Sequence, residues 1–311
     1  MKGEQGKPYE VIILGGGPAG MTAGLYTSRA RLRTLLIESG LYGGQMTTTE
    51  MIENYPGFPQ GVTGEELSRL MEEQARRFGM GTVNQDVVRV TAEGNLKRVH
   101  TSETSHLCEA LIVCTGAEYR KLGAPGEKEF AGRGVSYCAT CDGAFFQDAS
   151  IVVVGGGDSA LTEALFLTKF VKELTIIHRR DALRATKIYQ ERALGNPKIK
   201  FMWNSVVEEV KGDQVVRSVV VKNVKTGQRS ELNVEGVFLF VGLTPRTEFL
   251  KGVVVLDEAG YVITDENCET SVKGIFAAGD CRKKLLRQVA TSVGDGATAA
   301  FAAEKYLDEK K

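Results

Sequence analysis

Two stretches of this chain obey one ruler. Residues 11–20 read VIILGGGPAG, an apolar run followed by Gly15, Gly17 and Gly20, and the next apolar run closes on Glu38, 23 residues after Gly15. Residues 151–160 read IVVVGGGDSA, with Gly155, Gly157 and Ala160 in the same places, and the run Leu174–Ile177 closes on His178, again 23 residues after the first glycine. Unbroken apolar runs of this length suit parallel strands buried on both faces, and the G-x-G-x-x-G/A pattern behind them turns strand into helix. An α/β protein with two Rossmann-like dinucleotide-binding domains is therefore expected.

The physical reasons are the same in both units. The first glycine permits a tight turn, the second lets backbone approach a pyrophosphate, and the third lets helix pack on strand, with the helix N-terminus facing the phosphates. Pro18 stands where a missing amide hydrogen costs nothing. Beyond the second loop, Leu161, Ala164, Leu165 and Thr168 fall on one helix face.

The two units end differently. Glu38 can accept hydrogen bonds from ribose hydroxyls, whereas the second unit ends in HRRDALR, giving His178, Arg179, Arg180 and Arg184. A carboxylate there would repel a 2′-phosphate, and guanidinium groups bind one with charge-assisted, often bidentate bonds. The first unit thus suits FAD and the second NADPH. The competing reading of the second feature is a solvated basic turn after a strand.

Glycine is abundant, 36 of 311 residues, about 12% against a usual level of roughly 7%. Lysine plus arginine equals aspartate plus glutamate at 39 each, so no bulk charge draws the chain to nucleic acid or an anionic membrane. No apolar run approaches a membrane span and the first ten residues lack a signal-peptide core, so a cytoplasmic protein is expected. The strand-like LIVCTG ends at Thr115 and Gly116, and GIFAAGD near the C-terminus again pairs an apolar strand with a glycine and an acid, Gly279 and Asp280. The last residues are therefore expected to rejoin the first unit, with the second inserted: 1–118 and 249–311 as the FAD-binding domain, 119–248 as the NADPH-binding domain.

Of six cysteines only Cys138 and Cys141 are spaced as a unit. A C-x-x-C serves zinc or redox exchange. A structural zinc site needs two further ligands, usually another close pair, and none is evident, so no metal is expected. A dithiol reads better, because a two-residue gap lets a disulfide open and close with little chain movement. Nicotinamide does not reduce cysteines directly at useful rates, whereas a flavin takes two electrons from NADPH and passes them to a disulfide. Asp142 follows Cys141 and can relay the proton that thiolate release demands; a turn cap is its other reading.

With GGGPAG at 15–20, GGQ at 43–45, ENYPG at 53–57, CATCDG at 138–143, GGGDSA at 155–160, HRRDALR at 178–184 and GIFAAGDCRKKLLRQVA at 274–290, the chain resembles the low-molecular-weight, bacterial-type thioredoxin reductases over nearly its full length. The resemblance implies that Cys141 sits nearest the flavin, Cys138 exchanges with thioredoxin or a thioredoxin-like dithiol protein, and Asp142 is the general acid. It implies that Pro18, Ala19, Gly44, Gln45, Asn54, Thr115, Gly116, Gly279, Asp280, Arg287, Gln288 and Val289 join Gly15, Gly17, Gly20 and Glu38 around FAD, with Asp280 on the ribityl chain and Arg287 and Gln288 near the isoalloxazine. Asp158 and Ser159 would join Gly155, Gly157, His178, Arg179, Arg180 and Arg184 around NADPH, although Asp158 brings a carboxylate toward the pyrophosphate. The family is usually a homodimer and alternates between two domain arrangements. A flavoprotein serving an alkyl hydroperoxide reductase, a ferredoxin reductase of the same fold and a non-turnover flavin redox sensor are the competing readings.

Overall fold

The computed structural model describes residues 7–49 and 51–310. The chain divides into two compact units, residues 1–118 with 244–311, and residues 119–243. The return to the first unit falls at 243/244, earlier than the 248/249 expected from sequence. The reason is local: Thr115 Oγ1 donates to the Arg246 carbonyl at 2.6 Å and the Arg246 amide donates to Gly116 at 3.0 Å, which ties 246 to the first unit.

In the first unit the strand Tyr9–Leu14 pairs in parallel with Thr34–Glu38 on one side and Ser105–Val113 on the other. Thr34–Glu38 pairs onward with Gly81–Asn84, also in parallel. Ser105–Val113 is shared along its length: its first half pairs antiparallel with Leu96–Thr101 and its last residues pair in parallel with Ile275–Ala277. Thus the C-terminal segment completes the sheet begun by the N-terminal one. Val11, Ile12, Ile13 and Leu14 are fully buried, which is why this strand is an unbroken apolar run rather than an alternating one. The helices Pro18–Arg29 and Val289–Asp308 pack together on one face.

The second unit repeats the plan in parallel order Ile199–Met202, Glu173–Ile177, Ser150–Val154, Gly236–Leu239, Val135–Ser136. An antiparallel sheet of Ser205–Gly212, Val216–Asn223 and Arg229–Asn233 is also part of it. The ruler has one physical basis in both units: the first glycine's amide donates to the carbonyl closing the next strand, Gly15 to Ile37 at 2.8 Å and Gly155 to Ile177 at 3.1 Å. Both glycines have positive φ, +103° and +152°, and a side chain on either would run into a carbonyl, that of Cys114 or of Phe240. A methyl at Gly20 would lie 1.8 Å from the Gly15 oxygen. The second unit tolerates Ala160 at the corresponding place.

Candidate active site

Each ruler ends in an open helix N-terminus. Gly17 and Gly157 cap the helices Pro18–Arg29 and Asp158–Leu167 without a side-chain acceptor, so the first amides of both are left for another partner. A Cβ on Gly17 would meet nothing nearer than 4.0 Å, and one on Gly157 nothing within that distance, so neither loop is filled by the protein itself. Such an N-terminus with backbone donors and room before it suits a pyrophosphate.

The residues expected around FAD come from distant parts of the first unit, and several are joined by hydrogen bonds. Glu38 accepts from the Gly16 amide at 2.6 Å through one oxygen and from Ser39 and Gly40 at 2.9 and 2.8 Å through the other, which fixes the carboxylate at the end of its strand. Gln45, in the short turn beginning at Gly44, donates to the Ala117 carbonyl at 2.5 Å. Asn54 Nδ2 donates to Gln288 Oε1 at 3.0 Å, and Gln288 in turn precedes the helix that begins at Val289. Arg287 lies with its guanidinium 4.1 Å from the centre of the Tyr261 ring, and its Nε is buried without a hydrogen-bond partner. A buried, unpaired donor beside these groups is what a ligand acceptor would satisfy. The donor set and the open loop fit FAD.

Asp280 is held by neighbours that sequence reading missed. Its carboxylate accepts from Ser292 at 3.3 Å and pairs with Lys284 at 3.5 Å. Burial pushes its carboxyl above the ordinary range, and the Lys284 and Arg287 charges oppose that shift. Behind it Asp295 binds Lys284 at 3.0 Å, Arg282 at 2.9 Å and the Gly279 amide at 3.0 Å. Asp295 stands inside a helical stretch, GDG at 294–296, with no local motif to mark it.

In the second unit Arg179, Arg180 and Arg184 are exposed, and among the described residues their side chains make no hydrogen bond or ion pair. The Arg184 amide donates to the Gly156 carbonyl at 2.8 Å, which draws this cation to the glycine loop. A row of unpaired guanidinium groups at the end of the ruler fits the 2′-phosphate of NADPH. His178 departs from the expectation. It is buried, a side chain on Gly156 would strike its ring, its Nε2 lies 3.1 Å from the Ala182 carbonyl, and burial first of all lowers its pKa. At neutral pH it is an uncharged brace for the loop rather than a phosphate cation. Asp158 departs likewise: its two oxygens accept from the Thr186 amide at 2.5 Å and the Thr186 hydroxyl at 3.1 Å, so the carboxylate ties the helix to the loop before Lys187–Leu194. Ser159 is exposed at the same N-terminus.

Cys138 and Cys141 are joined in a disulfide across the one-turn helix Ala139–Asp142. Three amides of the turn are hydrogen-bonded within it: the Cys138 amide donates to Ser136 Oγ at 3.0 Å, the Cys141 amide to the Cys138 sulfur at 3.2 Å, and the Asp142 amide to the Cys138 carbonyl at 3.2 Å. An amide aimed at the Cys138 sulfur favours a thiolate there once the bond is opened. Cys138 is half-buried, Cys141 exposed and Asp142 half-buried beside them. The other four cysteines are free and buried, and among the described residues no cluster of metal-ligating side chains exists.

This fold and site define a pyridine nucleotide-disulphide oxidoreductase, and the sequence model of that family matches residues 9–296. Thioredoxin reductase of Peptoclostridium acidaminophilum is 49% identical over 306 residues, covering 96% of this chain and 97% of the relative. That of Bacillus subtilis (strain 168) is 48% identical, covering 97% and 96%. A crystal structure of Lactococcus lactis thioredoxin reductase, in the FR conformation, superposes with a TM-score of 0.95 at 49% identity, covering 97% of this chain and 99% of that one. The T. acidophilum thioredoxin reductase structure gives 0.92 at 33% identity, covering 98% and 99%. The chain belongs to the pyridine nucleotide-disulphide oxidoreductase family, among its thioredoxin reductases.

Proposed function

We propose that this enzyme, a thioredoxin-disulfide reductase using NADPH and FAD, passes electrons through the Cys138–Cys141 disulfide to thioredoxin or a similar dithiol protein. The observation that carries the route is the disulfide itself, held in a four-residue turn on the unit that also presents Arg179, Arg180 and Arg184. When bound, FAD supplies a two-electron carrier between NADPH and a disulfide.

We assign the residues the following roles, which their positions support. Residues 1–118 and 244–311 hold FAD: the amides after Gly17 face the pyrophosphate, Glu38 takes the ribose, Asp280 the ribityl chain, and Arg287 Nε and Gln288 the ring system. Residues 119–243 hold NADPH, with the three arginines on its 2′-phosphate. Since one unit carries both the sulfurs and the nicotinamide site, the two take turns at the flavin held by the other. Cys141 faces the flavin side of the reaction. Cys138 as thiolate, supported by the Cys141 amide, attacks the partner's disulfide, and Asp142 protonates the sulfur that leaves.

Among the described residues no helix is long and apolar enough to cross a membrane, and we place the enzyme in the cytoplasm as a homodimer. The test is NADPH oxidation with a panel of oxidised dithiol proteins, NADH run in parallel. Cys138→Ser should keep NADPH-driven bleaching of the flavin and lose thioredoxin reduction; undiminished turnover in that variant would remove Cys138 from the route.

A further inference from the structure

The residue before Cys138 is tied to a buried carboxylate that the electron route does not use. Glu127 is only 4% exposed. Its Oε1 accepts from the Tyr137 hydroxyl at 2.6 Å and the Leu122 amide at 2.8 Å, and its Oε2 accepts from the Gly123 amide at 2.5 Å. A carboxylate at that depth is costly unless donors surround it, and these donors replace the water it has lost. Leu122 and Gly123 give backbone amides from the loop that leads to Glu127 itself. Tyr137 gives a side chain, and its backbone runs directly into the redox turn.

The surroundings of Tyr137 hold it to that bond. Tyr137 and Leu122 both pack on the buried cluster that includes Val135, Val207 and Val237, and Lys121 Nζ lies 3.6 Å from the centre of the Tyr137 ring. Burial first, then the hydrogen bond and charge of Glu127, hold the phenol above its ordinary range, so it stays a donor at neutral pH. Just ahead of it Val135–Ser136 pairs with Val237–Phe238 in the sheet. Beyond the turn Gly143 is buried, and a Cβ there would lie 3.0 Å from Leu167 and 3.4 Å from Phe170. The turn is thus fastened on one side by the Tyr137 side chain and on the other by close backbone packing.

We propose that Glu127 is a positioning residue for the redox pair: through the Tyr137 hydroxyl it holds the backbone that carries Cys138, and so keeps the two sulfurs within closing distance after the bond between them has opened. This rests on the electron route of the preceding section and deepens it. In that route the Cys138 thiolate attacks the partner's disulfide and becomes bonded to one partner sulfur. The Cys141 thiolate then attacks the Cys138 sulfur. The Cys138–partner bond breaks, the Cys138–Cys141 bond re-forms, and the partner's sulfur leaves with the electron pair and takes up a proton. The pair is oxidised by two electrons and the partner is reduced by them. Closure depends on how near the fold holds Cys141 to Cys138, an effective concentration that a fixed backbone raises. A looser Tyr137 lowers it and favours the dithiol.

The experiment equilibrates the FAD-loaded enzyme, without oxygen, in buffers of reduced and oxidised glutathione, traps the sulfurs and weighs the peptide that carries Cys138 and Cys141. It needs neither NADPH nor thioredoxin, so its failure is separate from failure of the electron route, which the Cys138→Ser turnover assay judges. Tyr137→Phe keeps the ring and its packing and removes only the hydroxyl. Its dithiol form should be favoured over that of the wild type by about threefold or more. Glu127→Gln, which exchanges one acceptor oxygen for a donor group, should shift the equilibrium the same way, and in that background Tyr137→Phe should add less than about twofold. An equilibrium in Tyr137→Phe that is unchanged, or shifted toward the disulfide, overturns the positioning role even if the melting temperature falls, since lost stability alone marks a structural contact. Fully additive shifts overturn it as well, because the hydroxyl would then act without Glu127. If Glu127→Gln does not fold, the Tyr137→Phe equilibrium decides alone.

Discussion

Asn54 Nδ2 lies 3.0 Å from Gln288 Oε1, a hydrogen bond between residues 234 positions apart. It joins the loop after the first βαβ turn to the start of the C-terminal helix, both in the first unit. The contact orders Gln288 beside the unpaired Arg287 Nε, and so prepares the place assigned to the flavin ring.

Replacing Asn54 with Leu removes the donor and leaves the Gln288 carbonyl oxygen to find another. A neutral hydrogen bond contributes about 1 kcal/mol net, so FAD retention should weaken by roughly fivefold. Flavin fluorescence released on dilution measures this. Unchanged retention would mean that Gln288 is ordered without Asn54.

The exposed guanidinium groups of Arg179 and Arg180 should discriminate between nucleotides. Each charged hydrogen bond to a 2′-phosphate is worth about 1.5 to 3 kcal/mol, so each alanine substitution should raise KM for NADPH by roughly tenfold or more. KM for NADH should hardly move. Steady-state kinetics with both donors decides the matter, and equal losses would assign the arginines another purpose.

Much of this was legible because the ruler is local. Once Gly15 and Gly155 take positive φ and bond to Ile37 and Ile177, the loop, the helix N-terminus and the residue at the strand end follow from short stretches of chain. The limits of that reading are instructive at His178 and Asp158. Both stand at the expected ruler positions, yet His178 turns inward against Gly156 and Asp158 is taken up by Thr186. Spacing fixes where a residue stands, whereas burial and neighbouring donors fix which way its side chain serves. Asp295 was invisible for a related reason: it lies inside a helix and matters through partners supplied by another part of the fold.

Asp295 gives a prediction about stability. It holds Arg282 and Lys284, both largely buried, together with the Gly279 amide. Asp295→Ala would leave two cations without their common counter-charge, and breaking a buried pair on one side typically costs about 3 to 5 kcal/mol. Urea unfolding of the FAD-loaded enzyme should show a midpoint lowered accordingly. Because Lys284 would then lean on Asp280 alone, FAD retention should fall in the same variant. A midpoint shifted by less than about 1 kcal/mol would show that solvent reaches these groups.

Glu163 ties stability to pH with a sign opposite to that of an ordinary surface carboxylate. Its folded-state value, up to about 7, lies above the ordinary 4.5, because burial penalises the charged form. Between those values the native protein binds more protons here than the unfolded chain does, so this group's contribution is most favourable below about pH 4.5 and is lost as pH rises to about 7. The loss is of the order of 3 kcal/mol by pH 8, since one pKa unit corresponds to about 1.4 kcal/mol. Glu163→Gln carries no charge to desolvate, so its stability relative to the wild type should climb between pH 5 and pH 8. Paired melting curves of the two oxidised, FAD-loaded proteins across that range measure the difference. A constant offset would mean that the carboxyl titrates alike in folded and unfolded chains, and burial could then not be what shifts it.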